Sequence, residues 1–240
     1  MTATEDHIDR LPEPALSRPT SQAERVADLL RTFVIDGELA PGVRLSEEKL
    51  SRKYEVSRNT LREAFRLLGH ERLLVHHMHR GVFVNRPTSE DVRDLFNARR
   101  SLELPAVRGA ATSPADRVRA VGSAVDEGER ARAERDWWRM GSANMRFHEA
   151  LAALAGSTRV NEFMRQILAE TRLVFHVMDA PREFHDPYLK WNRRIHLALA
   201  EGDAETAAAE LTTYLDTSER QLVTAFVAME EGSRSARPPI

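Results

Sequence analysis

Apolar residues recur at helical spacing from the twenty-sixth residue onward. Val26, Leu29, Leu30, Phe33 and Val34 follow the i, i+3, i+4, i+7, i+8 pattern of one buried helix face. That helix is predicted to stop near Gly37, and Pro41-Gly42 predicts a turn. Ser46 is placed to cap a second, short helix that ends near Tyr54. Glu47 and Glu48 fall in its first turn, where the helix dipole favours negative charge. Ser57 predicts the start of a third helix, with Leu61, Ala64, Phe65 and Leu68 as its buried stripe. Two short apolar runs follow, 73–75 and 82–84. They flank His76-His77-Met78-His79-Arg80-Gly81, the length of a hairpin tip with glycine at the turn. Three helices and then a hairpin make a winged helix-turn-helix.

Arg86-Pro87 predicts a short linker, because proline disfavours helix at the residue before it. From Thr88 to about Glu231 the pattern is helical, with breaks near Ser113-Pro114, Arg135, Gly156-Ser157, Pro181 and Gly202-Asp203. The predicted fold class is therefore mainly α. A winged helix-turn-helix over 21–86 precedes an all-helical bundle of about six helices over 88–231. Residues 1–20 and 232–240 are expected to be flexible tails.

Composition narrows the function classes. The absence of cysteine excludes disulfides, thiolate catalysis and cysteine zinc sites. No apolar run approaches the roughly 18 residues of a membrane span, and the first residues lack the basic start and apolar stretch of a signal peptide. A cytoplasmic protein is expected. Net charge is only −2, but basic residues exceed acidic ones 12 to 9 over residues 21–86, which leaves the remainder acidic. A mildly basic module on an acidic one binds nucleic acid with one end.

On the third predicted helix, Arg58, Asn59 and Arg62 point away from the buried stripe, with Thr60 near its start. Arg58 opposes the helix dipole by roughly 0.3–1 kcal/mol, a local cost that suggests a use. The N-terminal end of a recognition helix is where side chains reach base edges in the major groove. There arginine bonds guanine and asparagine bonds adenine. Ser57 and Thr60 suit phosphates, and His79, Arg80 and Gly81 at the wing tip suit a groove or phosphate contact.

The stretch from Arg25 to Val84, including DGELAPGVRLSEEKLSRKYEVSRNTLREAFRLL and RGVFV, resembles the DNA-binding domain of the GntR family. The resemblance implies a homodimer on a short palindrome of double-stranded operator DNA. Members that carry a DNA-contacting arginine in the second helix have it where Glu48 stands here. The helical half, from Asp91 to about Ala225, is similar to the FCD effector domain of the FadR subfamily, in its shorter VanR-like branch. That resemblance implies a divalent metal held by one Asp and three His, and a small carboxylate effector aided by an arginine. Here the D-x-x-F-H pattern falls on Asn144-Met145-Arg146-Phe147-His148, so asparagine replaces the aspartate. The histidine expected eleven residues before Asp203 is Asn192, and the one eleven residues after it is Tyr214. Amides and a phenol of pKa about 10 are poor replacements for carboxylate and imidazole, so no metal and no cofactor are expected. His196 lies one turn from Asn192, but with His148 it would still make only a weak set of two imidazoles.

Asn144 and His148 share a stripe with Met140, Leu151 and Ala155, and Asn192 shares one with Tyr188, Ile195 and Leu199. Tyr214 goes with Leu211 and Ser218, and Arg99 and Glu103 interrupt the stripe of Val92, Leu95, Phe96, Leu102 and Ala106. Several inward polar groups in one helical unit predict a cavity for a small-molecule effector, because unpaired buried polar atoms are costly. Arg99, Asn144, His148, Asn192 and Tyr214 are its candidate residues, with Arg99 for an anionic group. The alternative is that they bond one another and that the helical half serves only dimerisation or partner contact. Catalysis has little support. His148-Glu149 begins an H-E-x-x-H motif that fails at Ala152, and no P-loop or nucleophile elbow is present. The predicted function is a ligand-responsive, more often repressing, transcription regulator.

Overall fold

A computed structural model describes residues 21–178 and 181–235. The expected tail over 1–20 and the last residues of the expected C-terminal tail lie outside them. The chain forms two compact units. Of the described residues, one unit comprises those up to Pro87 together with Arg172–Val177, and the other comprises Thr88–Thr171 and those from Met178 onward.

In the first unit α1 spans Gln22–Ile35, α2 Glu47–Lys53 and α3 Arg58–His70. Each begins on a serine whose side chain accepts from a backbone N–H in the first turn. At α1 the cap is reciprocal, since Glu24 also accepts from the Ser21 N–H. The α3 stripe is Leu61, Ala64, Phe65 and Leu68, and it packs with Leu30, Val34 and Leu50 as the core of this unit. Arg31 of α1 donates twice to Glu71 just past α3, at 2.6 Å each, tying the two helices at one end.

The wing has three antiparallel strands: β1 Arg44–Leu45, β2 Leu74–His77 and β3 Gly81–Val84, in the order β1-β3-β2. Here the sequence reading needs correction. His76 and His77 lie in β2, paired with Val82 and Gly81, so the tip is only Met78-His79-Arg80. Polar side chains hid the strand, since a two-faced wing needs only one apolar face. Gly81 has φ +98, and its missing Cβ leaves room for the Arg44 guanidinium, whose Nε would stand 3.4 Å from such an atom.

In the second unit α4 spans Ser89–Arg108, α5 Ala115–Ala133, α6 Trp137–Ala153 and α7 Thr158–Met178. A short α8, Pro181–His185, and a 3-10 turn lead to α9, Leu189–Ala200, and the long α10, Ala204–Ser235. Six long helices match the expected number. One boundary differs: α10 continues to Ser235, past the expected end at 231, while Pro105 lies inside α4 without breaking it. The α9 helix packs closely on α5 because Gly122 and Gly128 face it. A Cβ at Gly122 would lie 2.4 Å from His196 Nε2, and one at Gly128 would lie 2.8 Å from a Leu189 methyl. Among the described residues no helix is long and apolar enough to cross a membrane.

Candidate DNA-reading face and buried polar site

On α3 the sequence places charge outward, and the fold keeps it there. Arg58, Asn59 and Arg62 are exposed and Thr60 is half-buried. The Ser57 hydroxyl caps the helix by accepting from the Thr60 N–H at 3.0 Å, and it also bonds the Thr60 hydroxyl at 2.8 Å. These two hydroxyls therefore fix the helix start as well as facing outward. Arg62 is held by Glu47 of α2 at 2.9 Å, and Glu48 pairs with Arg52. At the wing His79 takes φ +61, and the Arg80 guanidinium lies 5.7 Å from the centre of the Phe83 ring. Arg44, exposed on β1 and packed beside Gly81, adds a cation at the wing that the sequence reading missed. A two-residue strand leaves no periodic signal to find it by.

In the helical unit, four helices bring the inward polar residues together. Arg99 and Glu103 come from α4, Asn144 and His148 from α6, Asn192 from α9 and Tyr214 from α10. All six are buried. Arg99 Nε donates to Glu103 Oε1 at 2.8 Å, and Glu103 Oε2 lies 2.7 Å from His148 Nδ1. His148 Nε2 lies 3.0 Å from the Tyr214 hydroxyl. Asn144 Nδ2 donates to that hydroxyl at 3.1 Å, and Asn192 Nδ2 donates to Asn144 Oδ1 at 2.9 Å.

The protonation of this row follows from its surroundings. Burial, then the Arg99 charge, hold His148 below its ordinary pKa, so the ring is neutral. Burial alone would push the Glu103 carboxyl up, but its partners His148 and Arg99 more than offset this and hold it below the ordinary range. With His148 neutral, Arg99 is the cation that balances the carboxylate. Burial also pushes the Tyr214 phenol up, so it keeps its proton. One assignment satisfies every pair. Asn192 donates to Asn144, Asn144 to Tyr214, Tyr214 to His148, and His148 to Glu103. The donors all run toward the carboxylate.

The two ends stay open. Arg99 Nη2 and Asn192 Oδ1 are buried without a hydrogen-bond partner among the described residues. A buried unmatched group of this kind costs roughly 1–3 kcal/mol, more when charged. The Arg99 guanidinium also lies 4.9 Å from the Phe96 ring centre, and Tyr188 packs edge-on to Tyr214 at 4.8 Å. Tyr188, on the same stripe as Asn192, donates to Gln221 at 2.6 Å, a partner the sequence did not disclose.

This donor set does not fit a divalent cation. Both nitrogens of His148, the one imidazole in the row, are engaged by protein partners, and the other three positions offer amides and a protonated phenol. His196 does not complete it, since its ring packs against Gly122 of α5. One detail of the inward stripe is also corrected: Ala155 is exposed and Leu154 is buried in its place, because the helix ends at Ala153.

Comparison with known proteins agrees with both units. Residues 22–84 match the description "Bacterial regulatory proteins, gntR family", and residues 94–217 match the FCD domain. A crystal structure of a GntR transcriptional regulator from Rhodococcus sp. RHA1 is 45% identical, with a TM-score of 0.81 over 86% of this chain and 100% of that one. An HTH-type transcriptional regulator in an unstable DNA locus of Streptomyces ambofaciens is 31% identical over 193 residues, 78% of each chain. The HTH-type transcriptional repressor RspR of Escherichia coli is 32% identical over 96 residues, 40% of this chain and 41% of that one. The chain spans less than half the length of the first curated relatives that it matches.

Proposed function

Because the chain belongs to the GntR family of bacterial regulatory proteins and carries an FCD domain behind its DNA-binding head, we propose that it is a homodimeric repressor whose grip on a short palindromic operator is set by a small anionic effector. In this reading Arg58, Asn59 and Arg62 read bases, while Ser57, Thr60, His79, Arg80 and Gly81 meet the phosphate backbone or an adjacent groove. Arg99, Asn144, His148, Asn192 and Tyr214 form the effector site, without a metal and without a cofactor.

The observation that carries the effector reading is the unmatched Arg99 Nη2, buried at one end of an otherwise complete hydrogen-bond row. It suits a carboxylate or another anionic oxygen, and the unmatched Asn192 Oδ1 suits a hydroxyl or ammonium donor. The ligand shifts DNA affinity by binding one arrangement of the protein better than another. A coupling of about 1–3 kcal/mol is typical of such regulators.

A second reading is favoured by the internal pairing itself. All five candidate residues are hydrogen-bonded within the row, and Asn144, His148 and Tyr214 leave no side-chain polar atom unmatched, which suits a helical unit that serves only dimerisation or partner contact. A thermal-shift screen of small carboxylic and hydroxy acids, followed by operator-binding titrations, separates the two. The effector reading requires a compound that raises the Tm and changes operator affinity, and whose effect is lost in Arg99→Lys. If no carboxylate does both, the purely structural reading stands.

A further inference from the structure

A second, open site lies on the helical unit away from the buried row. A cleft of about 610 Å³ is bounded by the end of α5, the first turn of α6, α8 and the start of α9. Five cations line it: Arg132, Arg135, Arg182, Lys190 and Arg193. Only two carboxylates do, and both are spent. Asp186 binds Arg132, and Glu129 binds Arg193 at 2.7 Å, with Asp126 sharing that arginine at 2.6 Å. Among the described residues no carboxylate pairs with Arg135, Arg182 or Lys190.

Three cations with no carboxylate partner among the described residues repel each other around one cleft, and the field they make falls on the space between them. Their setting is also shaped. The Arg182 guanidinium stacks over the Trp137 ring with its carbon 5.1 Å from the centroid, and Leu189 and Ala133 give an apolar side. A stacked guanidinium keeps its N–H edge free to donate to an oxyanion. The volume falls within the range of small-molecule sites and exceeds what a bare phosphate fills.

We propose that this cleft binds a small, multiply charged anion with an organic body, its phosphoryl or carboxylate groups held by Arg135, Arg182 and Lys190 and its body against Trp137 and Leu189. The site is independent of Arg99 and does not rest on the effector reading above. Because α9 carries Lys190 and Arg193 into the cleft and Asn192 into the buried row, an occupant here bears on the same helix.

Arg135 supplies a clean variant. It sits just past α5 in the left-handed region at φ +58, with its N–H on the Arg132 carbonyl and the Asp136 N–H on the Ala131 carbonyl. This position suits glycine, so Arg135→Gly removes a cation and relieves the backbone at once. Calorimetric titration of the full-length protein with pyrophosphate and, separately, citrate, at fixed ionic strength, tests the site. One saturable site per chain is expected for at least one of them, and the two titrations tell phosphoryl from carboxylate preference. Affinity should fall about tenfold or more in Arg135→Gly, with the Tm unchanged or raised, and similarly in Lys190→Gln. It should be unchanged in Arg119→Gln, which removes an exposed cation toward the opposite end of α5, outside the cleft. Failure of both anions to saturate the site, or equal binding by wild type and variants, would overturn the proposal. So would a loss of binding to non-operator DNA in parallel with the loss of anion binding, which would make the patch a nucleic-acid surface.

Discussion

Arg62 of α3 and Glu47 of α2 form an ion pair at 2.9 Å on the exposed face of the DNA-binding head. Arg62 is thus both a candidate base-reading side chain and a side chain already held by an acid. An exposed pair of this kind is worth only about 0.2–1 kcal/mol to stability. If Arg62 reads DNA as proposed, the weight of the pair falls on binding, because the arginine leaves Glu47 and that carboxylate then sits near the phosphate backbone.

Removing that competition should tighten binding. Glu47→Gln is expected to strengthen operator affinity several-fold and leave the unfolding free energy almost unchanged. Arg58→Ala and Arg62→Ala should each weaken specific binding about 10- to 100-fold, from the 1–3 kcal/mol of a base contact, with the dimer intact. Fluorescence anisotropy on a selected operator, with gel filtration alongside, measures all three. Unchanged affinity in both arginine variants would remove α3 as the reading element.

The buried row makes unequal demands on its members. Glu103→Gln leaves Arg99 without its carboxylate and is expected to cost about 3–5 kcal/mol. Tyr214→Phe deletes one hydroxyl that both accepts and donates, and should cost about 1–3 kcal/mol. Urea denaturation gives both. If Tyr214→Phe proved as stable as the wild type, the directed row would not describe this core.

Acid should weaken the protein through its buried histidine. The folded state holds His148 neutral where the unfolded chain, at the ordinary value of 6.5, begins to take up a proton. The unfolded state then binds more protons, so stability falls as pH drops below about 6.5 and keeps falling until the folded-state pKa is passed. Above that value the contribution is complete. His176 and His196 are lowered as well, chiefly by burial, and act in the same direction. Denaturation midpoints at pH 7.5, 6.5 and 5.5 should decline in that order, and less steeply in His148→Gln. A midpoint that rises toward pH 5.5 contradicts the assignment.

Close packing of α9 on α5 gives a prediction with its own control. Gly122→Ala puts a methyl group where the His196 ring now stands and should cost about 1–3 kcal/mol as overpacking. The penalty should shrink in the double variant with His196→Ala, so the two effects will not add. Additive losses would mean that the ring moves aside freely.

The replaced metal positions can be tested by reversal. Wild-type protein, stripped of chelator, should carry zinc, nickel or manganese far below one per subunit. Asn144→Asp, Asn192→His and Tyr214→His together should bring it near one, read by elemental analysis. Stoichiometric metal in the wild type would sink the metal-free reading of the site.

How much of this the sequence disclosed depends on how local the signal is. The α3 stripe was legible because four apolar residues repeat at helical spacing and all four are buried. The inward polar set was legible for the same reason, since each member interrupts an apolar face of its own helix. What connects to what was not: Glu103 meets His148 across 45 positions and Asn144 meets Tyr214 across 70. The cleft at Arg135 was invisible because short contributions from several elements make it, and none has a period. The extra strand pairing at Arg44 and the reach of β2 into His76-His77 were missed because polar strand ends look like loop.

The approach of α9 to Gly122 gives the protein a stiff lever. A 12-residue helix whose His196 ring and Leu189 methyl sit directly on glycines of its neighbour has little room to yield locally. Asn192 belongs to the buried row and Lys190 to the cleft, so on the two proposals a molecule bound at either place would bear on the other through this helix. By reciprocity, the factor by which the first alters the second is the factor by which the second alters the first. Two metabolites acting through one such bar would make this regulator a comparator of concentrations rather than a detector of one.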